Sequence, residues 1–218
     1  MRQVKSREII LNNIRKALHN EPGKPISKPD FSSPIFVNNN KDLAVDFAEN
    51  FIKASGIFIF CENENEFYKN LRLTLSKKKD ILVSDSSLQK KVSAAKIQFI
   101  PYSQDKLDGN ENLLNAEVGI TLCECLVART GSILVSSAQA AGRRWGIWPP
   151  THIVVAYTSQ IAYDIADGLK LIGKKYKDKL PSMISLITGP SRTADIEKTL
   201  VLGAHGPKEL ILFLIKDD

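Results

Sequence analysis

A chain of 218 residues, 43% hydrophobic and 25% charged, is long enough to bury about 70% of its unfolded surface without disulfide or metal staples. Its composition excludes the disordered, collagen-like and low-complexity classes. The longest apolar runs, such as residues 153–156 and 210–215, fall far short of the ~20 residues of a membrane helix, so no membrane insertion is expected. The residues after Met1 lead into no signal-peptide core, which predicts a cytoplasmic protein. The net charge of +6 is unevenly placed: Arg2, Lys5, Arg7, Arg15, Lys16, Lys24 and Lys28 against Glu8 and Glu21 leave +5 in the first 28 residues. A nucleic-acid binder carries its basic face on the folded domain, so no nucleic-acid partner is expected.

In chain order, Ser6 caps a first helix in which Ile10, Ile14, Ala17 and Leu18 recur at helical spacing until about Asn20. The proline-rich stretch from Glu21 to Pro34 reads as a linker, making the first helix an arm that needs a partner or a second subunit for its apolar stripe. Helices over 42–54, 64–76 and 87–94 then alternate with strands at 57–60, 81–83 and 97–100. Strands separated by single-helix spacers imply crossovers and a mostly parallel sheet with helices on both faces. Strands at 117–121, 132–136 and 152–157 follow with little room for helices, which implies an antiparallel or irregular insertion. A helix over 159–171 precedes a strand at 183–188, and a short helix over 193–200 precedes the last strand, 210–215. The class is α/β, Rossmann-like, behind an N-terminal helical arm.

Cys61, Cys123 and Cys125 are too few for a disulfide framework or an iron–sulfur cluster, which needs about four thiolates. They read as buried thiols, the last two sharing one face if the segment is a strand. No metal site and no cofactor are expected. The short runs Lys77–Lys79 and Lys174–Lys175 read as solvated helix ends.

Three stretches stand out chemically. In the first, residues 189–197, a strand ends at Gly189 and a helix is expected from about Thr193. Ser191, Arg192 and Thr193 could bind a phosphate or carboxylate at that helix start, or serve only as its cap. The second holds Thr130, Gly131 and Ser132 in a turn that is either a plain hairpin or part of an anion site. Glu124 just before it is the most plausible general base or carboxylate nucleophile, or else a partner for a nearby arginine. The third, residues 142–152, gathers Arg143, Arg144, Trp145 and Trp148 around Pro149-Pro150. Arginine and tryptophan dominate interface hot spots, so these four are candidates for partner docking. A loop with buried tryptophans is the alternative. His152 and His205 read as a core or turn histidine, with His205 also a candidate ligand-binding residue.

Taken together, Gly189-Pro190-Ser191-Arg192-Thr193-Ala194-Asp195-Ile196-Glu197, Leu200-Val201-Leu202-Gly203-Ala204-His205-Gly206-Pro207, the Thr130-Gly131-Ser132 turn and Pro149-Pro150-Thr151-His152 closely resemble the lactate utilisation protein C family, the LUD domain. The helix opening Ser6-Arg7-Glu8 and the proline-rich linker are similar too. One departure is Arg129, where many relatives carry an acidic residue. The resemblance divides the chain into an arm (1–20), a linker (21–40) and a LUD-type domain (41–218). It implies a fold of the sugar-phosphate isomerase and CoA-transferase group; loop position and the family match together make Gly189, Ser191, Arg192, Thr193, Thr130, Gly131 and His205 the candidate ligand-binding residues. It further implies a role in oxidising L-lactate to pyruvate beside two companion proteins, one carrying iron–sulfur clusters. The reading that follows is a non-redox subunit, with a homodimer as a further expectation. The alternative is an enzyme or sensor for a small carboxylate, phosphate or CoA ester, with Glu124 as the reacting group.

Overall fold

The computed structural model describes residues 6–19, 42–101, 115–194, 200–203 and 205–217. The chain divides into two units, residues 1–37 and 38–218. In the first, α1 (Ser6–His19) is a helix whose Ile9, Ile10, Leu11, Ile14 and Leu18 are all exposed. The second unit runs α2 (Leu43–Lys53), β1 (Ile57–Cys61), α3 (Glu64–Leu75), β2 (Ile81–Val83), α4 (Ser86–Ala94), β3 (Ile100–Pro101), β4 (Val118–Leu122), β5 (Cys125–Val127) and β6 (Ser132–Ser136). It continues with β7 (Thr151–Tyr157), β8 (Ile161–Ala162), α5 (Ile165–Tyr176), β9 (Ile184–Ile187), β10 (Arg192–Ala194), β11 (Leu200–Leu202) and β12 (Glu209–Ile215).

Six of these strands form one parallel sheet in the order β1-β12-β7-β4-β2-β3. Its central strands read as continuous apolar runs because both faces are covered. Alternate side chains divide between two cores. Ile153, Val155, Ile211 and Phe213 face α3 and α4, where they meet Phe67, Leu71, Leu88 and Val92. Val154, Ala156, Leu212 and Leu214 face the other way, onto Phe47 and Phe51 of α2 and onto Leu126 and Ile133. Those last two belong to a second sheet, β8-β5-β6-β9, in which β6 runs antiparallel to both its neighbours. Of the three strands expected in an irregular mid-chain insertion, those at 117–121 and 152–157 are instead β4 and β7 of the parallel sheet, because their apolar runs are covered on both faces, and only that at 132–136 enters the second sheet, as β6. The second sheet shares with α2 the task of covering the parallel sheet, and α5 closes its outer side through Ile172, Ile165 and Tyr176.

Capping fixes where the helices begin. Asp42 Oδ1 accepts from the Ala44 amide at 2.8 Å, Asn63 Oδ1 from Glu66 at 3.1 Å, and Asp85 Oδ1 from Ser87 at 2.8 Å. The helix expected over 159–171 starts later. Gln160 accepts from the Tyr157 amide at 2.9 Å and donates to the Cys123 carbonyl at 3.2 Å, which holds 158–160 in a tight turn and lays Ile161–Ala162 beside β5. Asp164 then caps α5. Of the strand expected at 97–100, only Ile100 pairs, continuing into Pro101.

The helix expected at 193–200 gives way to a hairpin. Arg192–Ala194 pairs antiparallel with Leu200–Leu202, and the part of the helix expected at 195–199 lies outside the described residues. Backbone amides expected at a helix start are thus committed to a ladder. Cys123 and Cys125 do not share a face, because the chain leaves the parallel sheet after Leu122 and enters the second sheet at Cys125. Cys123 packs between the sheets and Cys125 beneath α5. All three thiols are free and buried, and burial raises each, Cys125 to about 11. The lysine runs are not merely solvated: Lys78 donates to Thr151 and Glu209, both at 3.1 Å, across the amino ends of the strands.

Two glycines let turns touch the carboxyl end of α2. A Cβ at Gly131 (φ +58°) would overlap the backbone of Asn50 and Phe51, and one at Gly189 (φ +78°) would overlap the Ala54 carbonyl. Gly131→Ala and Gly189→Ala are each expected to lower unfolding stability by about 2–4 kcal/mol, combining left-handed strain with overpacking. Chemical denaturation of the purified variants checks this, and a loss below that of an exposed-site alanine would show that α2 sits elsewhere.

Candidate functional site

The seat of α2 collects much of the polar signature. The Ser132 hydroxyl donates to Thr130 Oγ1 at 2.8 Å and lies 2.7 Å from Thr188 Oγ1, so the turn at 128–132 and the end of β9 meet. Asn50 Nδ2 donates to the Ala128 carbonyl at 2.9 Å, and Arg192 donates to the Ala54 carbonyl. Ser191 and the 203–207 segment tie together by backbone: Ser191 N donates to Pro207 O at 2.9 Å, and Gly203 N to Ser191 O at 3.0 Å. His205 is exposed. Thr193 stands in register with Val201. Of the expected ligand-binding residues, Thr130, Gly131, Gly189 and Arg192 therefore converge around the carboxyl end of α2.

Arg129 reaches Asp164 through Nε at 3.0 Å and Nη2 at 2.7 Å. Partial burial works against the Asp164 charge, and the guanidinium with the Ile165 amide outweighs it, holding the carboxyl below its ordinary range. The pair locks the 128–130 turn to the start of α5.

Glu124 lies at the far end of β6 from that seat. Its side chain is 1% exposed and accepts from Ser136 Oγ at 2.5 Å, Tyr176 Oη at 2.7 Å and Lys175 Nζ at 2.7 Å. Burial pushes its pKa up, but the three donors, Lys175 first, pull it further down, so the carboxylate is ionised below the usual range. Three donors on one carboxylate also blunt its basicity. The chemistry of this arrangement is anchoring, joining the crossing between the sheets to β6 and to the last turn of α5.

Next to Ser136, a small cavity of about 10 Å3 opens between Thr121 and His152 of the parallel sheet and Gln139, Gly142 and Trp145 of the covering segment. That volume is at the lower bound for a single water. His152 is 1% exposed, its Nε2 lies 2.9 Å from Thr121 Oγ1, and its Nδ1 has no hydrogen-bond partner. Burial alone lowers its pKa to about 4. At the carboxyl edge of the parallel sheet, where ligands of open α/β folds gather, some of the described polar groups pair with one another. Lys91 meets Glu64, which also accepts from Tyr68 at 2.7 Å, and the Lys91 ammonium stands 5.9 Å from the Tyr157 ring.

The docking candidates separate. Trp145 is 1% exposed and packs with Leu82, Ala116 and Ile100, so its role is that of a core residue, as its apolar ring requires once the segment folds onto β4. Trp148, at 46% exposure, and Ile147, at 54%, remain outside with Arg143 and Arg144. Arg143 donates to Ser182 at 2.8 Å. The partners of Glu124 escape a sequence reading because they sit 12, 51 and 52 residues away, with no local pattern linking them.

A family model described as the LUD domain matches residues 36–215. Lactate utilization protein C of Bacillus licheniformis is 34% identical over 118 residues, 52% of this chain and 49% of that one. The Bacillus subtilis protein of the same name is 36% identical over 114 residues, 50% and 48%. An uncharacterized protein of Neisseria meningitidis serogroup B is 34% identical over 111 residues, 50% and 46%. The matches thus span about half the length of these curated relatives. Among solved structures, a DUF162 family protein from Deinococcus radiodurans superimposes with a TM-score of 0.57 over 79% of this chain and 96% of that one, at 17% identity. That likeness carries the fold alone.

His152 should stay neutral well below pH 6, titrating near pH 4 by NMR. Between its ordinary value and about pH 4 the unfolded chain takes a proton that the folded chain refuses, so the His152 contribution to stability is lost as pH falls through that window. An ordinary titration near 6.5 would mean that water reaches the ring. For Glu124 the depressed carboxyl contributes stability above its ordinary range that is lost on acidification. Glu124→Gln is expected to cost about 1–3 kcal/mol at neutral pH and to flatten the acid limb of the denaturation profile.

Proposed function

We propose that this chain, which belongs to the LUD domain family, is a non-redox subunit or accessory protein of an L-lactate to pyruvate oxidation system, working beside an iron–sulfur protein and a second companion. The observation that carries the reading is the match to relatives named lactate utilization protein C in two Bacillus species.

The chemistry of the chain supports a supporting role. Cys61, Cys123 and Cys125 each sit in a different apolar cluster, so they do not converge as thiolate ligands, and in this reading the electron carriers lie in the companions. Glu124 is tied by three donors, and the signature turns are spent on seating α2. What the domain offers outward is the rim of Arg143, Arg144, Ile147 and Trp148, a mix of cation and aromatic of the kind that anchors partners. The arm adds a basic helix with an exposed apolar stripe. In this reading both are docking surfaces for the companion proteins.

A tagged copy, recovered from its own cells grown on L-lactate, is expected to bring down an iron–sulfur protein and lactate-dependent dye reduction. The Arg143→Ala/Trp148→Ala variant should lose that companion at least about tenfold, an effect on the scale of interface hot spots, while its melting temperature is unchanged. Retention of the companion by both this variant and one lacking residues 1–28 would remove the docking role. An inactive eluate without companions, even after mild cross-linking, would turn attention to the small-anion alternative.

A further inference from the structure

The two edges of the parallel sheet are treated differently. At one, β3 contributes only Ile100 and Pro101, and a two-residue strand ending in proline offers little to a neighbour. At the other, β1 presents Ile57-Phe58-Ile59-Phe60-Cys61, with no charge and no proline, and with Ile57 47% and Phe60 40% exposed. The Cys61 carbonyl accepts from Lys216 N at 2.9 Å, so the backbone of residue 61 faces β12. By the alternation of a strand, residues 57 and 59 face the same way, and the amide groups of Phe58 and Phe60 face outward. Among the described residues they meet no backbone partner on that side.

We propose that this edge is an interface between two copies of the chain, paired antiparallel about a two-fold axis through Ile59. An isologous contact requires a surface that complements itself, and this one does so in three respects. With the axis at Ile59, Phe58 of one copy stands opposite Phe60 of the second, and the reverse. These are the residues with outward amides, so each pair closes both of its hydrogen bonds and Ile59 meets its own copy as the non-hydrogen-bonded pair between them. The facing side chains are then two Phe–Phe pairs on the α2 side of the sheet, where Phe58 already leans on Phe47 at 6.2 Å. Charge is complementary as well. The amino end of β1 follows Lys53 and lies next to Arg192, and the carboxyl end leads to Glu62, which in its own chain stands 3.4 Å from Lys216. Antiparallel pairing brings the basic end of one copy beside the acidic end of the other. The result is a continuous sheet through two domains, with the proline-bearing edges outermost. This inference is independent of the role in lactate utilisation, since it concerns the chain alone.

The test is the mass of the purified full chain by light scattering across a concentration series. Wild type is expected at twice 24.2 kDa, and Phe60→Lys, which replaces both Phe–Phe pairs by a lysine set against Phe58 of the other copy, is expected to weaken the dimer about tenfold or more with an unchanged melting curve. Ile59→Cys is expected to give a covalent dimer under mild oxidation, while wild type, whose cysteines are buried, gives none. Should Phe60→Lys fail to fold, the Ile59→Cys cross-link decides. A wild-type monomer at high concentration, or a dimer that Phe60→Lys leaves intact and Ile59→Cys does not cross-link, would overturn the proposal.

Discussion

The carboxyl end of α2 is the point on which the two sheets depend. Phe47 and Phe51 fill the space between the parallel sheet and the second sheet, and they can do so only if α2 lies close to the turns at 128–132 and 188–192. Gly131 and Gly189 permit that approach, since any Cβ there would stand inside the helix backbone or its last carbonyl. Asn50, Ser132, Thr188 and Arg192 then satisfy the polar groups that such close contact removes from water. These glycine, hydroxyl and arginine residues join the layers at the end of α2.

The same economy governs the charged residues. A chain that leaves one sheet and enters another must bury its crossing, and Glu124 sits at that crossing. An isolated buried carboxylate is costly, and Ser136, Tyr176 and Lys175 make it tolerable while tying α5 to β6. Arg129 and Asp164 join the other end of α5 to the turn at 128–130. Lys78 spans Thr151 and Glu209 where β7 and β12 begin. Each of these partnerships spans elements distant in sequence, and each lies where two elements cross rather than along a face.

The domain therefore turns most of its distinctive chemistry inward. Its outward features are the Arg143, Arg144, Ile147 and Trp148 rim and the bare edge of β1. Both are the surfaces to which the proposals above assign other chains. His152 is buried with one ring nitrogen unpaired beside a cavity no larger than a water.

Periodicity alone located α1 through α4 and the strands at 57–60, 81–83 and 210–215, because burial on one or both faces of an element repeats locally along the chain, but it did not assign the segments at 117–121 and 152–157 to the parallel sheet they join. The long signature residues sufficed for family resemblance, since motif identity is a property of the sequence. Three features lay beyond such local reading. Arg192–Ala194 pairs antiparallel with Leu200–Leu202 where a cap implies the start of a helix. Trp145 is core while Trp148 is surface. Cys123 and Cys125 point into different clusters although two residues apart. Each outcome was decided by which layer the segment meets after folding, and that depends on contacts between residues tens of positions apart, whose energies outweigh the modest local preferences that the sequence displays.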